Sequence, residues 1–87
     1  MILKLHKQFN KSYEKLTPKL KQKADFAMQC FRLNPLDPSL HNHPLHGDMS
    51  GRRAISVTGD VRIILEEYND YVLVIMLDVG THNQVYS

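Results

Sequence analysis

Residues 61–79, VRIILEEYNDYVLVIMLDV, contain two long apolar runs separated by Asn69-Asp70. Both runs are rich in β-branched and aromatic residues, which favour strands, and Asn-Asp is typical of the turn between two strands. The second run is apolar at consecutive positions, so we expect an interior strand that helices cover on one face. This stretch therefore predicts a β-hairpin inside a sheet.

A third strand is expected just before this hairpin. Residues 52–57, RRAISV, are separated from the hairpin by Thr58-Gly59-Asp60, which is a second turn signal. Gly80 ends the last apolar run, and a further short strand is expected at residues 2–6, ILKLH. Three consecutive strands with tight turns predict an antiparallel meander.

The first third of the chain is predicted to form two helices. Apolar residues recur every three or four positions in the first helix, at Leu5, Phe9, Tyr13 and Leu16. Thr17-Pro18 combines an N-cap residue with a proline at the first helical position, so it starts the second helix. That helix should end near Leu33-Asn34, because Pro35 disfavours helix at the residue before it. Its apolar face is formed by Leu20, Ala24, Ala27 and Phe31, with Met28 beside them.

These elements predict one α+β domain over residues 1–87, in which an N-terminal helical hairpin packs on a small antiparallel sheet in the order β-α-α-β-β-β. Composition agrees, since 43% hydrophobic and 23% charged residues are ordinary for a globular protein. Cys30 is the one cysteine, so no internal disulfide can form, and no apolar run approaches the roughly 18 residues of a membrane span. We expect a cytoplasmic protein without a membrane partner.

Charge is distributed unevenly along the chain. Residues 1–33 carry eight Lys and Arg against two acidic residues, whereas residues 34–87 carry three Arg against seven acidic residues. A basic segment suits a polyanionic partner such as nucleic acid or the ribosome. The alternative is that regularly spaced lysines simply form the solvated faces of the helices.

Residues 34–51, NPLDPSLHNHPLHGDMSG, form a long loop that contains three Pro, two Gly and three His. Loops of this length in small domains are often functional. The spacing of His41, His43 and His46 supplies imidazoles without a carboxylate or thiolate among them, and Pro44 limits how they converge. We therefore predict no metal site and no cofactor.

Three short motifs occur in order: HPLHG at residues 43–47, TGDVRII at residues 58–64 and GTHNQVY at residues 80–86. Together with the helical hairpin they resemble the toxins of type II toxin–antitoxin pairs, specifically the YafQ-like side of the RelE branch of the RelE/ParE superfamily. The resemblance implies a ribosome-dependent mRNA endoribonuclease, or mRNA interferase, that inhibits translation. It also implies a cognate antitoxin that silences the toxin in a hetero-oligomer.

Metal-independent RNA cleavage needs a base for the 2′-OH, an acid for the departing 5′-oxygen and cations for the phosphorane. The resemblance assigns His82 the general-acid role and matches His43 to the histidine of the loop motif. It also places an acid at Asp60, where it could orient a catalytic histidine. Surface positions for the two histidines and a plain turn role for Asp60 are the structural alternatives.

Arg53 and Arg62 are the cationic candidates, with Arg52 beside them. Adjacent residues of a strand face opposite ways, so only one of Arg52 and Arg53 can face the RNA. Arg62 stands in an apolar strand and needs water, a phosphate or a carboxylate, and the carboxylates of Glu66 and Asp78 are alternatives to phosphate.

Tyr86 matches the aromatic residue that, in the family, stacks on a base of the cleaved step, which is worth roughly 1–3 kcal/mol. Packing of Tyr86 against the sheet is the alternative.

Two positions depart from the YafQ-like pattern. Ser56 stands where that pattern has a second histidine, and Val61 stands where it has an aromatic residue. These departures predict a weakened activity. A gyrase-poisoning toxin of the ParE side, and a catalytically degenerate toxin that only binds its antitoxin, are the alternatives.

Overall fold

The two long apolar runs form strands β4 (Val61–Tyr68) and β5 (Leu73–Thr81) in a computed structural model that describes residues 1–86. The other strands are β1 (Ile2–Leu5), β2 (His43–Pro44) and β3 (Arg53–Ser56). The helices are α1 (Lys7–Glu14), α2 (Pro18–Leu33) and α3 (His82–Tyr86). Single turns of 3-10 helix at Pro38–Leu40 and Gly47–Met49 lie within the predicted long loop.

The five strands form one sheet in the order β1-β5-β4-β3-β2. Strands β3, β4 and β5 form the predicted antiparallel meander, and β5 is an interior strand. The sheet as a whole is mixed, because β1 pairs with β5 in parallel after the chain has passed through two helices. The predicted α+β class is therefore confirmed, with β2 added at one edge.

The predicted ends of α2 are confirmed. The Thr17 hydroxyl accepts a hydrogen bond from the Leu20 amide at 3.2 Å, and the helix ends at Leu33. The predicted stripe of α1 was wrong at Leu5, which lies in β1 with 45% of its surface exposed. His6 caps α1 instead, because its Nδ1 accepts from the Gln8 amide at 3.0 Å. No helix in residues 1–86 combines the length and apolar character needed to cross a bilayer.

The main core lies between the sheet and the first two helices. It is built by buried residues from both layers: Phe9, Ala27, Phe31, Leu40, Ile55, Val61, Ile63, Leu65, Val74, Met76 and Val79. The opposite face of the sheet carries a smaller cluster of Ala54, Ile64 and Val85, with Tyr86 packed against it. Helix α3, which the sequence did not predict, covers this second face and positions the candidate site.

Candidate functional site

Several predicted residues share the sheet face that is opposite α1 and α2, here called the α3 face. Directly paired residues of antiparallel strands lie on the same face. Arg62 pairs with Ser56 on one side and with Gly80 on the other, so these three share a face. His43 pairs with Ala54, which lies two residues from Ser56 and therefore on the same face.

A cleft of about 420 Å³ opens beside the paired residues Ser56 and Arg62. It is lined by Ser39, His41, His43, Ser56, Val57, Thr58, Gly59 and Arg62. The structure therefore brings together one predicted histidine from the long loop and one predicted arginine from the sheet, 19 positions apart along the chain.

The His43 ring is held by its own loop. Its Nδ1 lies 2.7 Å from the carbonyl oxygen of His41. A carbonyl oxygen can only accept, so the neutral ring carries its proton on Nδ1 and has its lone pair on Nε2. An exposed imidazole with a free Nε2 lone pair can take a proton from a substrate hydroxyl.

The Arg62 guanidinium crosses the turn between β3 and β4. Its Nη1 donates to the carbonyl oxygens of Thr58 at 2.9 Å and Gly59 at 3.1 Å. Neither carboxylate alternative is realised, since the one ion pair within residues 1–86 joins Lys21 to Glu14. Among these residues no group accepts from Nε or Nη2 of Arg62, so those N–H groups remain available for a phosphate.

His82 and Tyr86 lie one turn apart in α3. Their ring centroids are 4.4 Å apart with an interplanar angle of 62°, an edge-to-face contact. Tyr86 also packs against the small cluster on the α3 face, whereas His82 is exposed. The packing alternative for Tyr86 is therefore realised, and it leaves the ring in contact with the predicted acid.

The turn before β4 is tied to the start of α3. The His82 amide donates to the Asp60 carbonyl at 3.1 Å, so these two predicted residues are neighbours. The amides of Asp60 and Val61 both donate to the Thr58 hydroxyl, so the predicted turn role of this segment is confirmed. The Asp60 residue is exposed, and its carboxylate accepts no hydrogen bond from residues 1–86.

Arg52 and Arg53 lie on opposite faces, as strand alternation predicts. Arg53 pairs with Leu65 of the main core, and its Nε donates to Asn42 Oδ1 at 2.7 Å on the helix side. Arg52 lies on the α3 face but beside Met49, in a separate hollow of about 210 Å³. Neither lines the cleft, so Arg62 is the one of the three predicted cations that the structure places there.

The model of the YafQ toxin family, described as a bacterial toxin of the type II toxin–antitoxin system, matches residues 1–87. The chain belongs to the YafQ toxin family. A search of curated protein sequences finds no match to it.

Solved structures agree on the fold of this YafQ-family chain. It is similar to YafQ from E. coli strain BL21(DE3), with a TM-score of 0.83 and 21% identity over 98% of this chain and 97% of that chain. It is also similar to the YoeB/ParE toxin from Agrobacterium tumefaciens, with a TM-score of 0.78 and 18% identity over 94% and 99% of the two chains. A third similar structure is the E. coli DinJ-YafQ toxin–antitoxin complex, with a TM-score of 0.80 and 21% identity over 98% and 96%.

The two departures from the YafQ-like pattern have different surroundings. Ser56 lines the cleft directly opposite Arg62. Val61 is buried in the main core, on the other face of the sheet. The change at residue 56 therefore alters the cleft of this YafQ-family chain, whereas the change at residue 61 alters core packing.

Sequence reasoning missed two residues that build the site. Gly80 has no side chain, and a Cβ there would lie 2.8 Å from Gln84 Oε1 and 3.3 Å from Gln84 Cβ. This close approach lets α3 lie on the sheet. Asn42 bonds to Arg53 and stands between His41 and His43; its position between two histidines was the available signal.

Proposed function

We propose that this chain is a ribosome-dependent endoribonuclease that cuts mRNA by metal-independent acid–base chemistry. The observation that carries the proposal is the cleft, which is lined by both His43, whose Nε2 is free, and Arg62, whose Nε and Nη2 are free. The edge-to-face pair of His82 and Tyr86 on the same sheet face supports it.

In the proposed reaction, Nε2 of His43 takes the proton from a 2′-OH, and that oxygen attacks the adjacent phosphorus. The bond from phosphorus to the 5′-oxygen breaks, and the His82 imidazolium donates a proton to the departing oxygen. The products are a 2′,3′-cyclic phosphate and a 5′-hydroxyl. The free N–H groups of Arg62 stabilise the negative charge of the phosphorane.

Asp60 and Tyr86 would act on His82. The Asp60 carbonyl accepts from the His82 amide at 3.1 Å, which would fix the residue that supplies the acid at the start of α3. The Tyr86 ring holds the His82 ring at its edge and offers its exposed part to a base of the cleaved step.

Six exposed lysines in residues 4–23 support a ribosomal partner. Lys4, Lys7, Lys11, Lys15, Lys19 and Lys23 are all exposed, and within residues 1–86 none of them forms an ion pair. Unpaired lysines favour polyanions because their binding releases condensed counterions. A nuclease of ribosome-bound mRNA would act in the cytoplasm, which the single cysteine also favours.

An antitoxin is the second proposed partner. Similar toxins have been solved in the DinJ-YafQ complex of E. coli and the RelBE2 complex of Mycobacterium tuberculosis. In this chain α2 and the residues after it expose Phe26, Leu33 and Leu36, close to Lys23 and Arg32. Apolar side chains flanked by cations suit an antitoxin segment with apolar and acidic residues that folds on binding.

The nuclease proposal is tested in a cell-free translation system by mapping mRNA ends with and without ribosomes. Wild type should stop translation and cut mRNA only on ribosomes. His43→Ala and His82→Ala should each lower the cutting rate by about 100-fold or more, the usual contribution of one acid or base. His46→Ala, an exposed histidine in the same loop that does not line the cleft, is the matched control and should cut normally.

Cutting by His82→Ala at the wild-type rate would remove His82 from the mechanism. Intact mRNA together with inhibited gyrase supercoiling would favour the gyrase alternative. Intact mRNA, active gyrase and tight antitoxin binding would favour a degenerate toxin.

A further inference from the structure

Asn42 is half-buried between two exposed histidines, and its side chain is almost fully bonded. Its Nδ2 donates to the Pro35 carbonyl at 2.9 Å and to the Tyr71 hydroxyl at 3.0 Å. Its Oδ1 accepts from Arg53 Nε at 2.7 Å. One amide thus joins the middle of the loop to the start of the same loop, to β3 and to the turn between β4 and β5.

Two of these partners, Tyr71 and Arg53, are themselves held in place. The Tyr71 ring meets the buried Phe31 ring edge-to-face at 5.8 Å, and the Tyr71 amide donates to Glu67 Oε2 at 3.1 Å. Arg53 belongs to β3 and pairs with the buried Leu65. Two of the three bonds of Asn42 therefore tether it to residues that contact the core.

The residue before Asn42 has an unusual backbone. His41 has φ of 49°, in the left-handed region that residues other than glycine rarely adopt. Its carbonyl oxygen contacts His43 Nδ1 at 2.7 Å. Such a conformation persists only where the surroundings enforce it, and the bonds of Asn42 act on the next residue of the chain.

We propose that Asn42 is a positioning residue for His43, and that Arg53 and Tyr71 act through it. The tethered amide fixes the segment 41–43, so that the His41 carbonyl selects the neutral tautomer with its proton on Nδ1. Only this tautomer has an Nε2 that can accept a proton. The catalytic consequence rests on the proposed function, whereas the tautomer does not.

The direct test is the tautomer of His43, read from two-bond ¹H–¹⁵N correlations of ¹⁵N-labelled protein at a pH where the imidazoles are neutral. Wild type should show the Nδ1–H form. Asn42→Ala should show a mixture of both tautomers at His43, because its anchor is gone, while His82 in α3 should be unchanged and serves as an internal control.

Two further variants sharpen this result. Asn34→Ala is the matched control. Within residues 1–86 the side chain of this asparagine of the same loop bonds only to the Leu36 amide, so its loss should leave His43 in the Nδ1–H form. Tyr71→Phe keeps the ring on Phe31 and removes one of the three bonds, so it should give a smaller admixture of the second tautomer. The Tyr71→Phe variant still tests the proposal if Asn42→Ala does not fold.

The role would be overturned if His43 kept a pure Nδ1–H tautomer in both Asn42→Ala and Tyr71→Phe, or if wild type were already mixed. On ribosomes, Asn42→Ala should lower kcat about tenfold or more with KM within about twofold, because a positioned base is lost but not the cations. Intact mRNA with wild type would refute the nuclease proposal, and the tautomer measurement would still decide the role of Asn42.

Discussion

Ser56 lies opposite Arg62 and lines the cleft, at the position where the YafQ-like pattern has a histidine. Ser56→His would add a further imidazole to the cleft, beside Arg62. We expect cleavage of ribosome-bound mRNA to become about tenfold faster, a modest part of the usual contribution of an acid or base. Ser50→His, in the exposed part of the loop outside the cleft, should leave the rate unchanged. Equal rates in both variants would show that residue 56 does not limit the reaction.

For single residues, the sequence predicts which side chains carry the chemistry better than it predicts their hydrogen-bond partners. Strand alternation predicted that Arg52 and Arg53 lie on opposite faces of the sheet, and the HPLHG motif indicated His43 as a candidate. The partner of Arg53 could not be foreseen, because Asn42 is 11 positions away and Tyr71 still further along the chain. Hydrogen bonds between residues far apart along the chain produce no local sequence pattern from which they could be predicted.

Among the secondary-structure elements, α3 depends most on one residue, Gly80. Gly80→Ala would place a methyl group against Gln84, whose Oε1 accepts from the Thr81 amide at 2.8 Å. We expect a loss of about 1–3 kcal/mol in the free energy of unfolding, as for other overpacked sites. Chemical denaturation measures it. Gly59→Ala, which has open space around it and no positive φ, should cost much less, and equal losses would contradict the close approach of α3.

The 3-10 turn at Pro38–Leu40 gives a pH-dependent prediction. Asp37 caps this turn, and hydrogen bonds from the Ser39 hydroxyl at 2.7 Å and the Ser39 amide at 2.9 Å lower the pKa of its carboxyl. Because the pKa of Asp37 is lower in the folded protein, the ionised carboxylate stabilises the fold at pH values above the ordinary pKa of an aspartate. This contribution is lost as the pH falls through the lowered pKa. Asp37→Asn should therefore be less stable than wild type near neutral pH, with the difference shrinking below about pH 4. A difference independent of pH would exclude this cause.

The helices and strands that carry local sequence signals were predicted, and those without such signals were not. Thr17-Pro18 and Asn34-Pro35 mark both ends of α2, and the two apolar runs mark β4 and β5. Strand β2 has two residues and α3 has five, too few for periodicity to register. Both exist because the sheet supplies a partner. Ala54 pairs with His43 of β2, and Ala54 and Ile64 pack against Val85 of α3.

At the scale of the whole molecule, the exposed lysines lie in the first 23 residues of the chain. Lys11→Gln with Lys15→Gln should weaken ribosome binding several-fold and lower the slope of log K against log salt by about 1–2, because two cations are lost. Binding at several salt concentrations measures the slope. Asn10→Ala on the exposed part of α1 is a neutral control. An unchanged slope in the lysine variant would mean that these lysines are only a solvated face.

We propose that His43, Arg62 and His82 together cut RNA by internal attack of the 2′-oxygen without a metal ion. The most direct measurement is the chemistry of the ends that wild type leaves on ribosome-bound mRNA. A 2′,3′-cyclic phosphate upstream and a 5′-hydroxyl downstream are predicted, with both absent for His82→Ala. A 3′-hydroxyl facing a 5′-phosphate would contradict the account, because a water molecule would then have been the nucleophile.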